Sequence, residues 1–225
     1  MSKHNTFDRD YFEGEQSHFK GGYELLIRLN RWRLKKFHKI IKFYTKDFNQ
    51  KTLLDIGCAC GHFLDILKQD FEVYGTDISE FGVKVTKIKV KCPVEKGNCE
   101  EGLPFNRKFE IVTAIDIIEH LHHPKKALQN IYNSLSEGGY LFFEVPTIND
   151  KISQLVYDLF FARDKTHIFI KSVDEITEFV ESVGFKKVAI YSSLLPIFTK
   201  KESFVSAFSA IFGVFKKGKV PAKLY

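Results

Sequence analysis

The stretch Leu53-Leu54-Asp55-Ile56-Gly57-Cys58-Ala59-Cys60-Gly61-His62-Phe63-Leu64 decides the fold. Its apolar opening, ending in Asp55, suits a buried parallel strand. Gly57 and Gly61 let the backbone turn sharply and approach a ligand, and Phe63, Leu64, Ile66 and Leu67 begin a helical apolar stripe. A strand that breaks through glycines into a helix is the arrangement that holds a nucleotide-like ligand. Asp77 closes the next strand-like run, which starts at Phe71, and lies twenty residues past Gly57. A carboxylate there can accept both hydroxyl hydrogens of a ribose at the carboxyl edge of a sheet.

Strand and helix signals keep alternating outward from this turn. Ser79 is placed to cap a helix after Asp77, and the pattern continues through Phe109–Asp116, Pro124–Ser136 and Tyr140–Val145. That order predicts an α/β fold with a doubly wound, mostly parallel sheet and helices on both faces. A nicotinamide dehydrogenase would use a similar turn, but its fingerprint is G-x-G-x-x-G. Here Gly57 and Gly61 are separated by Cys58, Ala59 and Cys60, and Leu64 stands where a third glycine would open the helix.

With these motifs in order, the chain resembles the class I S-adenosylmethionine-dependent methyltransferases, in particular the broad group acting on small molecules, lipids and sugars. The resemblance covers roughly Lys51 to Ser192. Asp55-x-Gly57-x-x-x-Gly61 is similar to their first motif and Asp77 to their ribose acid. Gly97–Phe105 is similar to the loop after the third strand, Phe109–Leu121 to the fourth strand with its Glu-His end, and Leu135–Pro146 to the turn and fifth strand. The resemblance implies a Rossmann-like seven-stranded sheet with adenosylmethionine as donor and adenosylhomocysteine as product. It implies donor contacts from Asp55, Gly57, Cys58, Ala59, Gly61, Asp77, Ile78, Asn98, Cys99, Asp116 and Ile117, with Tyr11 from an N-terminal segment that folds over the cofactor. Two positions depart from the pattern. Ala59 stands where many members have glycine, and its methyl fits a close approach if φ stays negative. Asn98 replaces an aspartate and still offers the adenine amine a carbonyl acceptor.

At 225 residues and 44% hydrophobic content the chain can bury one full core. It has neither a signal-peptide pattern at its start nor an apolar run of roughly eighteen residues, so a cytoplasmic location is the expectation, with membrane association left open. Cys58, Cys60, Cys92 and Cys99 lack paired zinc-ribbon spacing and read as free thiols. Charge is uneven. Residues 1–50 hold eleven Lys/Arg and six Asp/Glu (net +5), residues 51–195 seventeen and twenty-one (net −4), and residues 196–225 six and one (net +5). Three parts follow: a basic helical cap over 1–50, a cofactor-binding core over 51–195 and a basic amphipathic segment over 196–225, all in one structural domain.

In the cap, Arg31, Arg33, Lys35, Lys36, Lys39, Lys42 and Lys46 occur without an acid, while Leu34, Phe37, Ile41 and Tyr44 recur at helical spacing. One face should pack and the other stay cationic. At the other end, Phe204, Val205, Phe208, Ile211, Phe212 and Phe215 also follow helical spacing, with Ser203, Ser206, Ser209 and Gly213 opposite, as core, a dimer face or a membrane surface. The family ends its sheet in a hairpin of two strands. Phe185–Ser192 supplies the first, and no second is evident, so the last strand stays open. Residues 149–171 form a lid over the acceptor pocket, with a helix whose apolar positions are 152, 155, 156, 159 and 160.

Methyl transfer needs an aligned acceptor, exclusion of water and, for a hydroxyl, removal of a proton. The candidate bases are His120, Glu119 and His167, with histidine best matched in pKa. Asp116, Glu119 and His120 could together hold a divalent ion, as similar residues do in some ubiquinone-pathway O-methyltransferases, although no resident metal is expected. Without a Pro-Pro run or an aromatic-interleaved basic module, a nucleic-acid acceptor is disfavoured. The expected function is O-methylation of a small-molecule, lipid-linked or sugar acceptor, with an anionic one in view, by a monomer or homodimer. An RNA methyltransferase and a non-catalytic partner subunit are the alternatives.

Overall fold

The computed structural model describes residues 7, 9–13, 23–49, 51–162, 164–193 and 210–218. In chain order the elements are α1 (Arg9–Glu13), α2 (Tyr23–Tyr44), β1 (Thr52–Ile56), α3 (His62–Leu67), β2 (Glu72–Asp77), α4 (Glu80–Val90), β3 (Val94–Lys96) and β4 (Phe109–Ile115). A 3-10 turn (Ile118–His120) follows, then α5 (Pro124–Ser134), β5 (Leu135–Pro146), α6 (Lys151–Phe160), α7 (Val173–Glu181), β6 (Phe185–Ser192) and β7 (Ala210–Lys217). They build a seven-stranded sheet in the order β3-β2-β1-β4-β5-β7-β6. The strands from β3 to β5 pair in parallel, and β7 runs antiparallel between β5 and β6.

Alternation along the strands feeds two cores. Leu54, Ile56, Leu141, Phe143 and Val145 face α5 and α7, whose Leu128, Ile131, Ile176 and Val180 are buried against them. Leu53, Val73, Ile111 and Phe142 face the opposite way, onto α2, α3 and α4 through Phe37, Ile41, Leu64, Leu67 and Val83. Each central strand is therefore apolar on both faces, as a covered parallel sheet requires. The helix ends follow their caps: the Ser79 hydroxyl accepts from the Gly82 amide at 3.1 Å, and Ser172 and Glu175 close a capping box. Among the described residues no helix is long and apolar enough to cross a membrane.

Three expectations are corrected. The C-terminal stripe is not helical where it is described: residues 210–217 form the missing second strand. Ile211 and Phe215 enter one core and Phe212 and Val214 the other, and the Phe212 ring stacks on Phe37 of α2 at 4.2 Å. A strand buried on both faces has apolar residues at nearly every position, so the spacing of 208, 211, 212 and 215 imitated a helix. Phe204, Val205, Phe208 and the serines lie outside the described residues. Second, the basic face of α2 is not wholly solvated, because Arg33 and Lys36 turn inward. Third, Ala59 has φ +46 rather than a negative value.

Candidate active site

The glycine turn is fixed by bonds to its neighbours. The amides of Gly57 and Cys58 donate to the Thr76 carbonyl at 2.8 and 3.1 Å, tying the turn to the end of β2. Asp77 then takes the Ala59 amide on one carboxylate oxygen and the Ser79 amide on the other, both at 2.7 Å. Thr86 on α4 donates to the Ala59 carbonyl at 2.7 Å. With both ends of its peptide held, Ala59 is drawn into the left-handed region, where an L-residue loses roughly 1–2 kcal/mol. At Gly57, with φ +71, any larger residue is strained, because a Cβ there would lie 1.9 Å from Cδ1 of Ile117 and force a shift.

Asp55 is buried and accepts from the Thr113 hydroxyl at 2.6 Å, and burial pushes its carboxyl up to about 7. Burial likewise raises Asp77, against the pull of its amide donors. Both therefore gain from a cation nearby. The Asn98 side chain is spent largely on its own loop, accepting from the Glu100 amide and donating to Glu101. Cys58, Cys60 and Cys99 are buried and Cys92 half-buried, none of them in a disulfide.

Across the edge of the sheet, Arg33 reaches from α2 to two carboxylates. It donates to Asp116 at 2.8 Å and to Glu144 at 3.0 Å. Burial opposes the guanidinium charge, but Asp116 and Glu144 more than offset it and keep it protonated. Glu144, fully buried, is pushed up to about 8 by desolvation although Arg33 pulls it down. Asp116 itself sits at φ +54, directly after β4, with its amide on the Glu144 carbonyl. Sequence reading missed Arg33, since a base within a run of bases carries no mark of facing inward.

The 3-10 turn brings the catalytic candidates together. The Glu119 carbonyl accepts the Ile168 and Phe169 amides at 2.8 and 3.0 Å, which seats the segment after α6 on the turn. The rings of His120 and His167 consequently stand 4.9 Å apart. Thr166 donates its one hydroxyl hydrogen to Asp164, so at 2.8 Å from His120 Nδ1 it must accept. That fixes the proton on Nδ1 and leaves Nε2 with its lone pair. Burial lowers the pKa of both imidazoles, so both are neutral near pH 7. Glu119 goes the other way, driven well above the carboxylate range by burial and by Asp116. Its Oε2 is buried with no partner. One ligand atom each from Glu119, His120 and His167 lie within 4.8 Å of one another, a donor set that could hold a divalent ion. The expected grouping with Asp116 is replaced, because Asp116 is turned to Arg33.

One cavity of about 1390 Å³ joins these parts. Of the expected donor contacts, Asp55, Gly57, Cys58, Ala59, Asp77, Ile78, Asn98, Cys99, Asp116, Ile117 and Tyr11 line it; Gly61 does not, and packs against Thr86 and Val90 instead. Glu119, His120 and His167 line it too. Its far wall, apolar and aromatic, comes from Phe7, Tyr11, Leu29, Val156, Leu159 and Phe161. Tyr11 packs edge-on against Phe7, whose ring meets His120 at 5.7 Å.

The sequence profile of the family described as "Methyltransferase domain" matches residues 29–190. The chain belongs to that family. This methyltransferase is 24% identical over 180 residues to the ubiquinone biosynthesis O-methyltransferase of Nitrosomonas europaea, covering 76% of this chain and 73% of that enzyme. It is 22% identical over 162 residues to a tRNA U34 carboxymethyltransferase of Campylobacter jejuni, covering 68% of this chain but only 56% of the relative. Among solved structures it is similar to an S-adenosylmethionine-dependent methyltransferase from Clostridium acetobutylicum, with a TM-score of 0.67, 16% identity and 88% and 96% of the two chains covered. The magnesium protoporphyrin IX methyltransferase of Synechocystis, with bound SAH, gives a TM-score of 0.63 at 12% identity, with 85% of each chain covered. The enzyme is thus an S-adenosylmethionine-dependent methyltransferase of Rossmann-like fold, and these relatives differ in acceptor.

Proposed function

We propose that the enzyme methylates a hydroxyl oxygen of a small, largely apolar acceptor, with the donor on the glycine turn and His120 as the general base. Bound adenosylmethionine supplies a methyl group already activated on a sulfonium. Asp77 would accept the ribose hydroxyls, Ile78, Asn98 and Cys99 would border the adenine, and Asp55 and Asp116 would place negative charge near the cation. The acceptor oxygen forms the new C–O bond as the methyl–sulfur bond breaks, and its proton passes to His120 Nε2. The observation carrying this reading is the Asp164–Thr166–His120 chain, which holds a neutral imidazole in the tautomer that accepts. The aromatic and aliphatic far wall supports an apolar acceptor, and six acidic side chains in the lining besides Glu119, against Arg33 and Lys126, argue against the anionic acceptor that the sequence left in view.

The test supplies methyl-labelled adenosylmethionine with alkyl-substituted phenols in one reaction and total tRNA in another. Label in the phenols, with His120→Gln lowering kcat by about 10²–10⁴, supports the reading; label in tRNA overturns it. The unpartnered Glu119 oxygen favours a second reading, in which Glu119, His120 and His167 hold a divalent ion that lowers the pKa of the acceptor hydroxyl. Turnover abolished by a chelator, together with a rise in melting temperature on adding Mg²⁺, Mn²⁺ or Zn²⁺, would replace the first reading with this one.

A further inference from the structure

Helices α6 and α7 carry similar sequence signals and are used in opposite ways. Both open with a capping box and both are strongly amphipathic. α7 turns its stripe inward, burying Ile176 and Val180. α6 turns its stripe outward: Ile152 is 64% exposed, Leu155 59% and Leu159 63%, while Ser153 is fully buried. A helix with its serine inside and Ile152, Leu155 and Leu159 each more than half exposed leaves much of its apolar face uncovered by the described residues.

The exposed face continues beyond α6. Leu159, Ile168 and Leu29 of α2 all line the cavity, yet each is half exposed or more, so together they form its apolar rim. Trp32 stands one turn along α2 from Leu29 and is 41% exposed. Single exposed leucines are ordinary on a protein surface. Three such side chains on one cavity rim, continued along the same two helices by Ile152, Leu155 and Trp32, are not.

Charge indicates what covers them. Arg28 and Lys35 flank Trp32 by one turn on either side, Arg31 adjoins it, Lys151 opens α6 and Lys165 follows it in sequence; all five are exposed. Asp158 is the one exposed acid on α6. Apolar side chains ringed by bases suit the headgroup region of an anionic bilayer, where leucine and tryptophan enter the acyl boundary and arginine and lysine meet phosphates. A second copy of the chain fits less well, because a two-fold contact would set the same bases against themselves.

We infer that the cavity mouth, formed by α6, the Leu29–Trp32 turn of α2 and Ile168, docks on an anionic phospholipid surface, so that an apolar acceptor enters the cavity from the bilayer without crossing water. This deepens the acceptor reading above and rests on it only for the acceptor's route; the docking itself is read without turnover.

Trp32 is the only tryptophan in the chain and sits on the surface concerned, so its fluorescence reports docking directly. The full chain is titrated with phosphatidylcholine vesicles with and without phosphatidylglycerol. The expected result is a blue shift and co-flotation with the anionic vesicles, weakened by salt. Leu155→Asp should weaken binding at least tenfold, and Arg28→Gln with Lys35→Gln about fivefold for each charge removed. In both variants unchanged affinity for adenosylhomocysteine certifies the fold. No blue shift, a shift indifferent to lipid charge, or a dimer that Leu155→Asp dissociates in sedimentation would each overturn the inference. Vesicle docking by an enzyme that labels only tRNA would leave the surface standing and remove the acceptor reading.

Discussion

At one end of the cavity the glycine turn uses neighbours in the chain, Gly57 to Gly61, answered by Asp77 twenty positions on. At the other end, Arg33, Asp116, Glu144 and the pair His120 and His167 come from α2, the ends of β4 and β5, the 3-10 turn and the segment after α6, with the Arg33–Glu144 bond spanning 111 positions. The first end is held by main-chain amides and by the absence of side chains; in the second, the Arg33 cluster is held by charge and the histidines by the main-chain bonds to Glu119. Backbone-built sites tolerate little substitution at their glycines, whereas charge-built sites answer to pH and to the loss of one partner.

The sharpest break in the first end is Gly57→Ala. With a Cβ 1.9 Å from Ile117 and φ +71, either the turn or Ile117 must move. Affinity for adenosylhomocysteine should fall more than a hundredfold by calorimetry, with stability lower by about 2–4 kcal/mol in urea unfolding. In the second end, Arg33→Met leaves the buried Glu144 and the half-exposed Asp116 without their cation. The expected cost is about 3–5 kcal/mol above pH 8, where Glu144 ionises beside Arg33, and it shrinks as pH falls below that value and Glu144 holds its proton with or without the guanidinium. A loss that ignores pH would mean that Arg33 matters for packing instead.

A smaller effect separates charge from shape within the first end. The folded-state pKa of Asp55 is raised to about 7 from an ordinary 3.8. Between those values the unfolded chain has released a proton that the folded chain keeps, so this group's contribution is fully present below about pH 4 and is lost as pH rises toward 7. Asp55→Asn should flatten that decline by on the order of 1–3 kcal/mol in unfolding midpoints compared at pH 5 and 7.5. An unchanged slope would show that Asp55 is ionised throughout.

The contrast also explains what the sequence could reveal. Gly57, Gly61 and Asp77 were readable because a turn between strand and helix imposes residue types at fixed spacing, and Phe185–Ser192 because its strand follows a capped helix and Gly184. The partner strand was not, since Ala210–Lys217 is buried on both faces and loses the alternation that marks a strand. Arg33 was not, since nothing local distinguishes it from Arg31 or Lys35; only the arrival of Asp116 and Glu144 does. The φ of Ala59 was read with the wrong sign because its cause, the bonds from Asp77 and Thr86, lies outside the turn. The amphipathic period of α6 was plain, and the side facing solvent was not.

One calorimetric comparison tests the division of labour most directly: adenosylhomocysteine binding to the Asp77→Ala and His120→Gln enzymes. The account predicts that Asp77→Ala loses binding by about tenfold or more, while His120→Gln keeps it and loses turnover. Retained binding in Asp77→Ala, or an equal loss in His120→Gln, would contradict it.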